Sequence, residues 1–391
     1  MDTLSWLLGL TGALGLVWPV VRAVGLWRAK KRFALPNDLV AETLGLAYDP
    51  GISVVIAAHN EALNLPHLLE ALAGQHYRGE FEVLVVDDRS TDATPDVLAQ
   101  AQIRYPWLRN VRIDATPEGW SPKKWALSQG IAAARYERLA FTDADCIPAP
   151  GWLAGIVAAY ERGAEVVLGY APLATDGSRT GDVQAVEAWL QATDNLALTA
   201  LGQPITATGR SLAYTKAVYH RVGGYEAHKG VLSGDDDLLV TQRSRYGLLW
   251  YLVGPETQVT SAAKTTPEAW HKARTRHIGA ARHYPLRVRL LHALRQLSYW
   301  SGRGVRIGLY VGLWGVIFKD WPWVGLLLFW LLYDSVLGIV QQLEQQNSPL
   351  PRVGGVTKLP TTRRHALERR ARAQEFWFGL RALLAPPTRW K

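Results

Sequence analysis

Three short apolar runs constrain this chain more than any other feature. "ISVVIAA" from Ile52, "FEVLVVDD" from Phe81 and "LAFTDAD" from Leu139 are each too short and too β-branched for a helix. Their near-continuous apolarity marks strands covered on both faces. Between the first two, "EALNLPHLLEALAGQ" repeats apolar residues at helical spacing and stops near Gly74. After the second, "TDATPDVLAQAQ" opens on a natural cap, Thr91 or Asp92. "AEVVLGY" supplies a further strand. Strand alternating with helix implies an α/β domain with a mostly parallel sheet, helices on both faces and ligands gathered at the carboxyl ends of the strands.

All three runs lead into acid. Glu61 follows the first, Asp87 and Asp88 close the second, and Asp143 and Asp145 close the third. Along a strand, alternate residues point to one face, so "DAD" presents two carboxylates to a single ligand. Such a pair repels itself unless a cation sits between its members. Hard oxygen ligands of this kind suit Mg²⁺ or Mn²⁺, which bind one or two carboxylates together with substrate phosphates. A D-x-D triplet alone is a weak signal, and helix capping accounts for any single acid. Capping does not account for three successive strand ends.

Both flanks of this domain are apolar. Leu4 to Val21, extended by Val21 to Trp27, has the length of a membrane-spanning helix. Arg28, Lys30, Lys31 and Arg32 follow it and no basic segment precedes it, the reverse of a signal peptide, so the next domain is expected in the cytoplasm. Farther on, "LRVRLLHALRQLSYW", Leu286 to Trp300, mixes Arg and His with Leu as an interfacial helix does. Val305 to Phe318 and Trp321 to Val340 read as a hairpin of two spans about "KDWPW", each imperfect because of Arg306 and Asp334; the loop "NSPLPRVGG" and the basic tail "TTRRHALERRARA" come after. The expected division is an anchor at 1–27, a basic linker at 28–50, the α/β domain at 51–284, an interface helix at 285–300, two spans at 301–340 and a cytoplasmic tail at 341–391. That is a multi-pass inner-membrane protein. Seventeen Trp agree with a bilayer boundary. The net charge of +9 permits a nucleic-acid partner, but the basic residues gather beside apolar spans and no binding motif accompanies them, so none is expected. The single cysteine, Cys146, excludes an internal disulfide and reads as a buried thiol; His59, His76 and His228 lack zinc-ligand spacing.

Taken in order, "SVVIAAHNEALNL", "VLVVDDRSTDAT", "KKWALSQGI", "FTDADCIPAPGWL", "TGRSLAYTKAVYHRVGGY" and "SGDDDLLVTQRSRYG" resemble a family 2 glycosyltransferase over roughly residues 51–284. The resemblance implies a GT-A-type nucleotide-diphospho-sugar transferase domain flanked by transmembrane helices, and inverting transfer of one sugar. By motif, Glu61 and Asp88 contact the donor's base and ribose, Asp143 lies beside the ribose and diphosphate, and Asp145 holds the metal. In "SGDDDLL", Leu239 sets the register that makes Asp236 the general base and Asp235 its neighbour. An acceptor hydroxyl is a poor nucleophile near neutral pH, so a placed carboxylate must take its proton. Lys123 stands at the family's donor-binding lysine, although Pro122 replaces the usual Gly before it. Processive members carry Gln-x-x-Arg-Trp; here "ARTRH" keeps only Arg276, which argues against a polysaccharide synthase and leaves Arg274, Arg276 and His277 to grip the leaving diphosphate. "EAWLQATDNLALTALG" reads as an amphipathic helix over the acceptor side. The expected partners are a nucleotide-diphosphate sugar and a lipid or isoprenoid acceptor. Polyprenyl phosphate, a hydroxylated carotenoid, ceramide and diacylglycerol all remain open. The competing readings are a processive synthase and a non-catalytic membrane scaffold with a degenerate transferase domain.

Overall fold

The computed structural model describes residues 3–33, 51–242, 246–317, 322–350, 366–374 and 376. The basic linker beyond Phe33, most of the "KDWPW" connection and the "NSPLPRVGG" loop from Pro351 onward lie outside the described residues.

Ten strands and eleven α-helices are bounded below, and residues 366–374 are helical as well. The apolar runs form β1 (Ile52–Ala58), β2 (Phe81–Asp88) and β4 (Arg138–Phe141), joined by β3 (Leu108–Ile113), β6 (Ala164–Gly169), β8 (Leu212–Thr215) and β9 (Leu248–Leu252) in a sheet of order β3-β2-β1-β4-β8-β6-β9. Pairing is parallel throughout except at β8, which runs antiparallel to both β4 and β6. The expected mostly parallel sheet is therefore present. Because β1, β2 and β4 are neighbours running the same way, their carboxyl ends lie together along one edge. A small second sheet of order β5-β10-β7 (Cys146–Pro148, Val259–Ala262, Leu173–Ala174) is laid over that edge.

The helices are α1 (Thr3–Phe33), α2 (Leu65–Ala73), α3 (Thr94–Arg104), α4 (Pro122–Ala133), α5 (Trp152–Glu161) and α6 (Arg179–Ala200), then α7 (Lys216–Arg221), α8 (Asp237–Val240), α9 (Pro267–Ile278), α10 (Leu286–Ile317) and α11 (Pro322–Asn347). α2 begins with Pro at its first turn, where the missing N–H is harmless, and buries Leu65, Leu68, Leu69 and Leu72 on one face. α4 approaches the sheet through Gly130, where a Cβ would lie 2.5 Å from Val55 Cγ1 and 2.9 Å from Val86 Cγ2.

Two boundaries differ from expectation. α1 does not stop at Trp27 but continues through the basic residues to Phe33, and Phe33 is buried against Trp250. The interface helix and the first expected span are one uninterrupted helix, α10, because nothing near Trp300 breaks the helical pattern. The multi-pass arrangement is not supported. Among the described residues one helix alone, Leu10–Phe33, is long and apolar enough to cross a bilayer, whereas α10 carries Arg287, Arg289 and Arg295 in its first half and Arg303 just beyond.

α1 is docked rather than loose. Trp18, Leu26 and Ala29 are buried, and Gly25 lets it approach α6 so closely that a Cβ would fall 2.5 Å from the Ala197 carbonyl oxygen. Beneath it, buried Asp194 of α6 accepts from Trp18 Nε1 at 3.1 Å and pairs with Arg22 and Arg295 at 3.3 Å each. The stretch expected as an amphipathic cover is thus a mostly buried helix with a charged centre.

Candidate active site

The loops leaving β1 and β2 are stitched together. Asn60 adopts the left-handed conformation that Asn tolerates (φ 57°), and its Oδ1 accepts from Thr91 N at 2.8 Å. His59 Nδ1 lies 2.6 Å from the Asp88 carbonyl, and Asn60 N donates to Ser90 Oγ at 2.9 Å. These bonds separate the two acids that close β2. Asp87 is fully buried and binds Arg112 and the Ser90 N–H, a structural role. Asp88 turns to the cavity, its carboxylate gripped by Arg89 Nε at 2.7 Å.

Past β4, Asp143 and Asp145 do reach one place. Their carboxylates and Cys146 Sγ lie within 4.8 Å of one another. Two hard carboxylates in this setting fit a divalent ion. The thiol does not: burial first, then the charges of Asp143 and Asp145, push it well up, so it stays protonated and a poor ligand. Lys264 Nζ stands 3.7 Å from Asp145 Oδ2, a contact no sequence motif indicated.

Lys123 of α4 joins this group to the "GDDD" segment. Its ammonium lies 2.9 Å from Asp143 Oδ1 and 3.0 Å from Asp235 Oδ2. Burial opposes its charge, but Asp143, Asp235 and Asp236 together raise it above the ordinary lysine value. Burial likewise raises the Asp143 carboxyl, and Lys123, Arg210 and His277 outweigh this to hold it below the usual range.

The three consecutive aspartates have distinct environments. Asp237 is saturated, accepting from Thr206 Oγ1 and Ala207 N at 2.6 Å each and from Tyr284 OH at 2.7 Å. Asp235 is buried against Lys123. Asp236 caps α8 through the Asp237 N–H and accepts from Gly209 N, both at 2.7 Å. Burial, with Asp237 and Asp235 alongside, pushes Asp236 well above the normal carboxylic acid value. A raised carboxyl of this kind suits a group that must accept a proton.

A cavity of about 750 Å³ receives all of them: Glu61, Asp88, Lys123, Asp143, Asp145, Asp235, Asp236 and Arg276 line it. Its opposite wall is helical, built from Gln184, Glu187, Trp270, Arg274, Arg289 and Ala293 among others. Arg210 is a wall residue that the sequence reading missed; its guanidinium donates to Ser261 Oγ at 2.8 Å across the second sheet.

Residues 53–219 match the family described as Glycosyl transferase family 2. A β-monoglucosyldiacylglycerol synthase of Nostoc sp. is 33% identical over 167 residues, which are 41% of this chain and 33% of that protein. A 4,4'-diaponeurosporenoate glycosyltransferase of Staphylococcus haemolyticus is 35% identical over 94 residues, 24% of each chain. This chain spans about a third of the length of the curated relatives it matches first. In three dimensions the mannosyltransferase PcManGT of Pyrobaculum calidifontis, solved with GDP-Man and Mn²⁺, superposes with a TM-score of 0.51 at 18% identity, covering 95% of this chain and 99% of its own, a likeness of fold. Six ordered motifs, a mostly parallel sheet with its acids at one edge, and the family match agree on a glycosyl transferase family 2 domain across residues 53–219.

Proposed function

We propose that this protein is an inverting glycosyltransferase that moves one sugar from a nucleotide diphosphate to a lipid acceptor at a membrane face. The observation that carries this reading is the single cavity with two unlike walls. One wall holds the strand-end carboxylates, and the other is the edge of α10, whose Leu286, Leu290 and Leu297 stand 63%, 59% and 57% exposed. Spacing of four and seven residues puts them on one helical face, a stripe suited to an acyl layer. Two partial relatives whose names specify diacylglycerol and diaponeurosporenoate products support a lipid acceptor.

In the reaction the acceptor oxygen attacks the anomeric carbon. Its proton passes to Asp236 Oδ, and the bond from anomeric carbon to diphosphate breaks with its electron pair leaving on the nucleotide. Inversion follows from attack opposite the leaving group. Asp235, held by Lys123, lies beside Asp236 and helps raise its carboxyl, which favours proton uptake there. Glu61, Asp88 and Arg276 line the same cavity, which supports assigning the first two to the donor's base and ribose and Arg276 to the departing diphosphate. A divalent ion on Asp143 and Asp145, Mg²⁺ or Mn²⁺, would offset charge on that diphosphate.

The test is to incubate full-length protein in detergent with a panel of radiolabelled nucleotide sugars and total membrane lipid. Label should enter the organic phase only with a divalent ion, as a product one sugar heavier than its lipid. Label in a water-soluble polymer would favour a processive synthase, and an inert protein would favour a scaffold.

A further inference from the structure

Charge is sorted along the cavity. Asp88, Asp143, Asp145, Asp235 and Asp236 line it together with Lys123, Arg210 and Lys264, while the segment formed by α9, the turn at Gly279–His283 and α10 contributes Arg274, Arg276, Arg282, Arg289 and Arg295 and no acid. Two of these guanidiniums are neutralised inside the protein, Arg274 on Glu187 at 2.6 Å and Arg295 on Asp194 at 3.3 Å. Arg282 and Arg289 are exposed and, among the described residues, meet no carboxylate. Arg289 borders the face of α10 that carries Leu286, Leu290 and Leu297, Arg282 precedes that helix in the turn at Gly279–His283, and exposed Ala293 belongs to both that face and the cavity wall. An acyl chain lying on the stripe would thus bring a headgroup past Arg289 and into the cavity.

Such a headgroup has two chemical requirements. Two uncompensated guanidiniums at the entrance call for an anion, and a phosphate is the anion that arginine forks match. At the reacting end, however, the proposed base Asp236 has a proton to take only from a hydroxyl, because an ionised phosphate oxygen brings none. The anion and the nucleophile must therefore be separate groups of one molecule. Resting on the lipid-acceptor reading above, we propose that the acceptor is an anionic phosphoglyceride whose headgroup ends in a free hydroxyl. Its phosphate sits on Arg282 and Arg289, its chains lie along Leu286, Leu290 and Leu297, and its terminal hydroxyl is at Asp236. The hydroxyl oxygen bonds to the anomeric carbon, its proton goes to Asp236, and the nucleotide diphosphate departs with the bonding electrons; the phosphodiester is untouched.

The probe is purified full-length protein in mixed micelles with the family of nucleotide sugar that gives turnover. Phosphatidylglycerol, diacylglycerol and polyprenyl phosphate are compared as acceptors, with total anionic charge held fixed by phosphatidic acid, which has the phosphate but no headgroup hydroxyl. Phosphatidylglycerol should exceed diacylglycerol in kcat/KM by at least about tenfold, the effect of losing a charge-assisted contact. Arg282→Gln with Arg289→Gln should reduce that preference about tenfold, and the Lys pair should retain most of it. Equal or better use of diacylglycerol or polyprenyl phosphate would overturn the proposal, as would an unchanged preference in the Gln pair; both outcomes leave a lipid glycosyltransferase standing. Failure to glycosylate any lipid would overturn the lipid-acceptor reading itself.

Discussion

Lys123 organises the charge of the site, since one ammonium faces Asp143 and Asp235 at about hydrogen-bond distance. Replacing it with Met removes the foremost cation opposing burial at Asp143 and leaves only Arg210 and His277, so that carboxyl should rise. A carboxyl held low in the folded state contributes stability above its unfolded pKa of about 3.9 and loses it as pH falls through the folded value. Lys123→Met should therefore begin acid unfolding at higher pH than wild type, followed by circular dichroism, and should move the acid limb of transfer the same way. A limb that does not move would show that another cation holds Asp143. At the neighbouring position the protonated Cys146 thiol is a bystander, so Cys146→Ser should keep divalent-ion stimulation while Asp145→Ala loses it in the same assay. Asp143, Asp145, Asp88 and Glu61 were legible in the sequence because each directly follows an apolar run. Lys123 was legible as a motif position but its bridge was not, because Asp235 arrives beside it only through the tertiary fold. Arg210 lay within a quoted motif but its place on the cavity wall depends on a contact with Ser261 of the second sheet, and Lys264, a single cation just past that sheet's central strand, had no signal.

At the level of elements, close approach decides which substitutions matter. Gly130→Ala would drive a methyl into Val55 and Val86, whose backbones are fixed in adjacent strands. The strain of about 1–3 kcal/mol exceeds the gain in helix propensity of about 1 kcal/mol, so a lower Tm is expected by calorimetry, and an unchanged Tm would contradict the packing. Strands β1, β2, β4 and β6 and helices α2 and α3 were readable because short doubly buried runs and one-sided helices have different periods. Helix α6 was misjudged. Its pattern looks amphipathic, but Asp194 meets partners from α1 and α10, Glu187 meets Arg274 of α9, and periodicity says nothing about what covers a face. The same limit hid the continuity of α10, where a change of composition near Trp300 is not a change of backbone.

Across the whole molecule, Asp194 ties the first helix to the catalytic fold. Its carboxylate is 1% exposed and pairs with Arg22 of α1, Arg295 of α10 and, at 3.9 Å, Arg372 near the C-terminus. Asp194→Ala would strand buried guanidiniums, and the loss of one partner from such a cluster costs about 3–5 kcal/mol. Chemical denaturation should show that loss, with α1 more open to protease, whereas a merely peripheral anchor would leave the catalytic fold as stable as before. This arrangement joins the apolar first helix to the helix that carries the Leu stripe and lines the cavity, which is what the proposed transfer at a lipid face would require. The central claim is that Asp236 takes the acceptor's proton at the end of that cavity. Asp236→Asn keeps the shape but not the base, and the direct measurement is donor affinity by calorimetry alongside transfer to lipid in the same preparation. Donor affinity within about twofold of wild type, with transfer reduced by about 10²–10⁴, is the predicted result; transfer at the wild-type rate would contradict it.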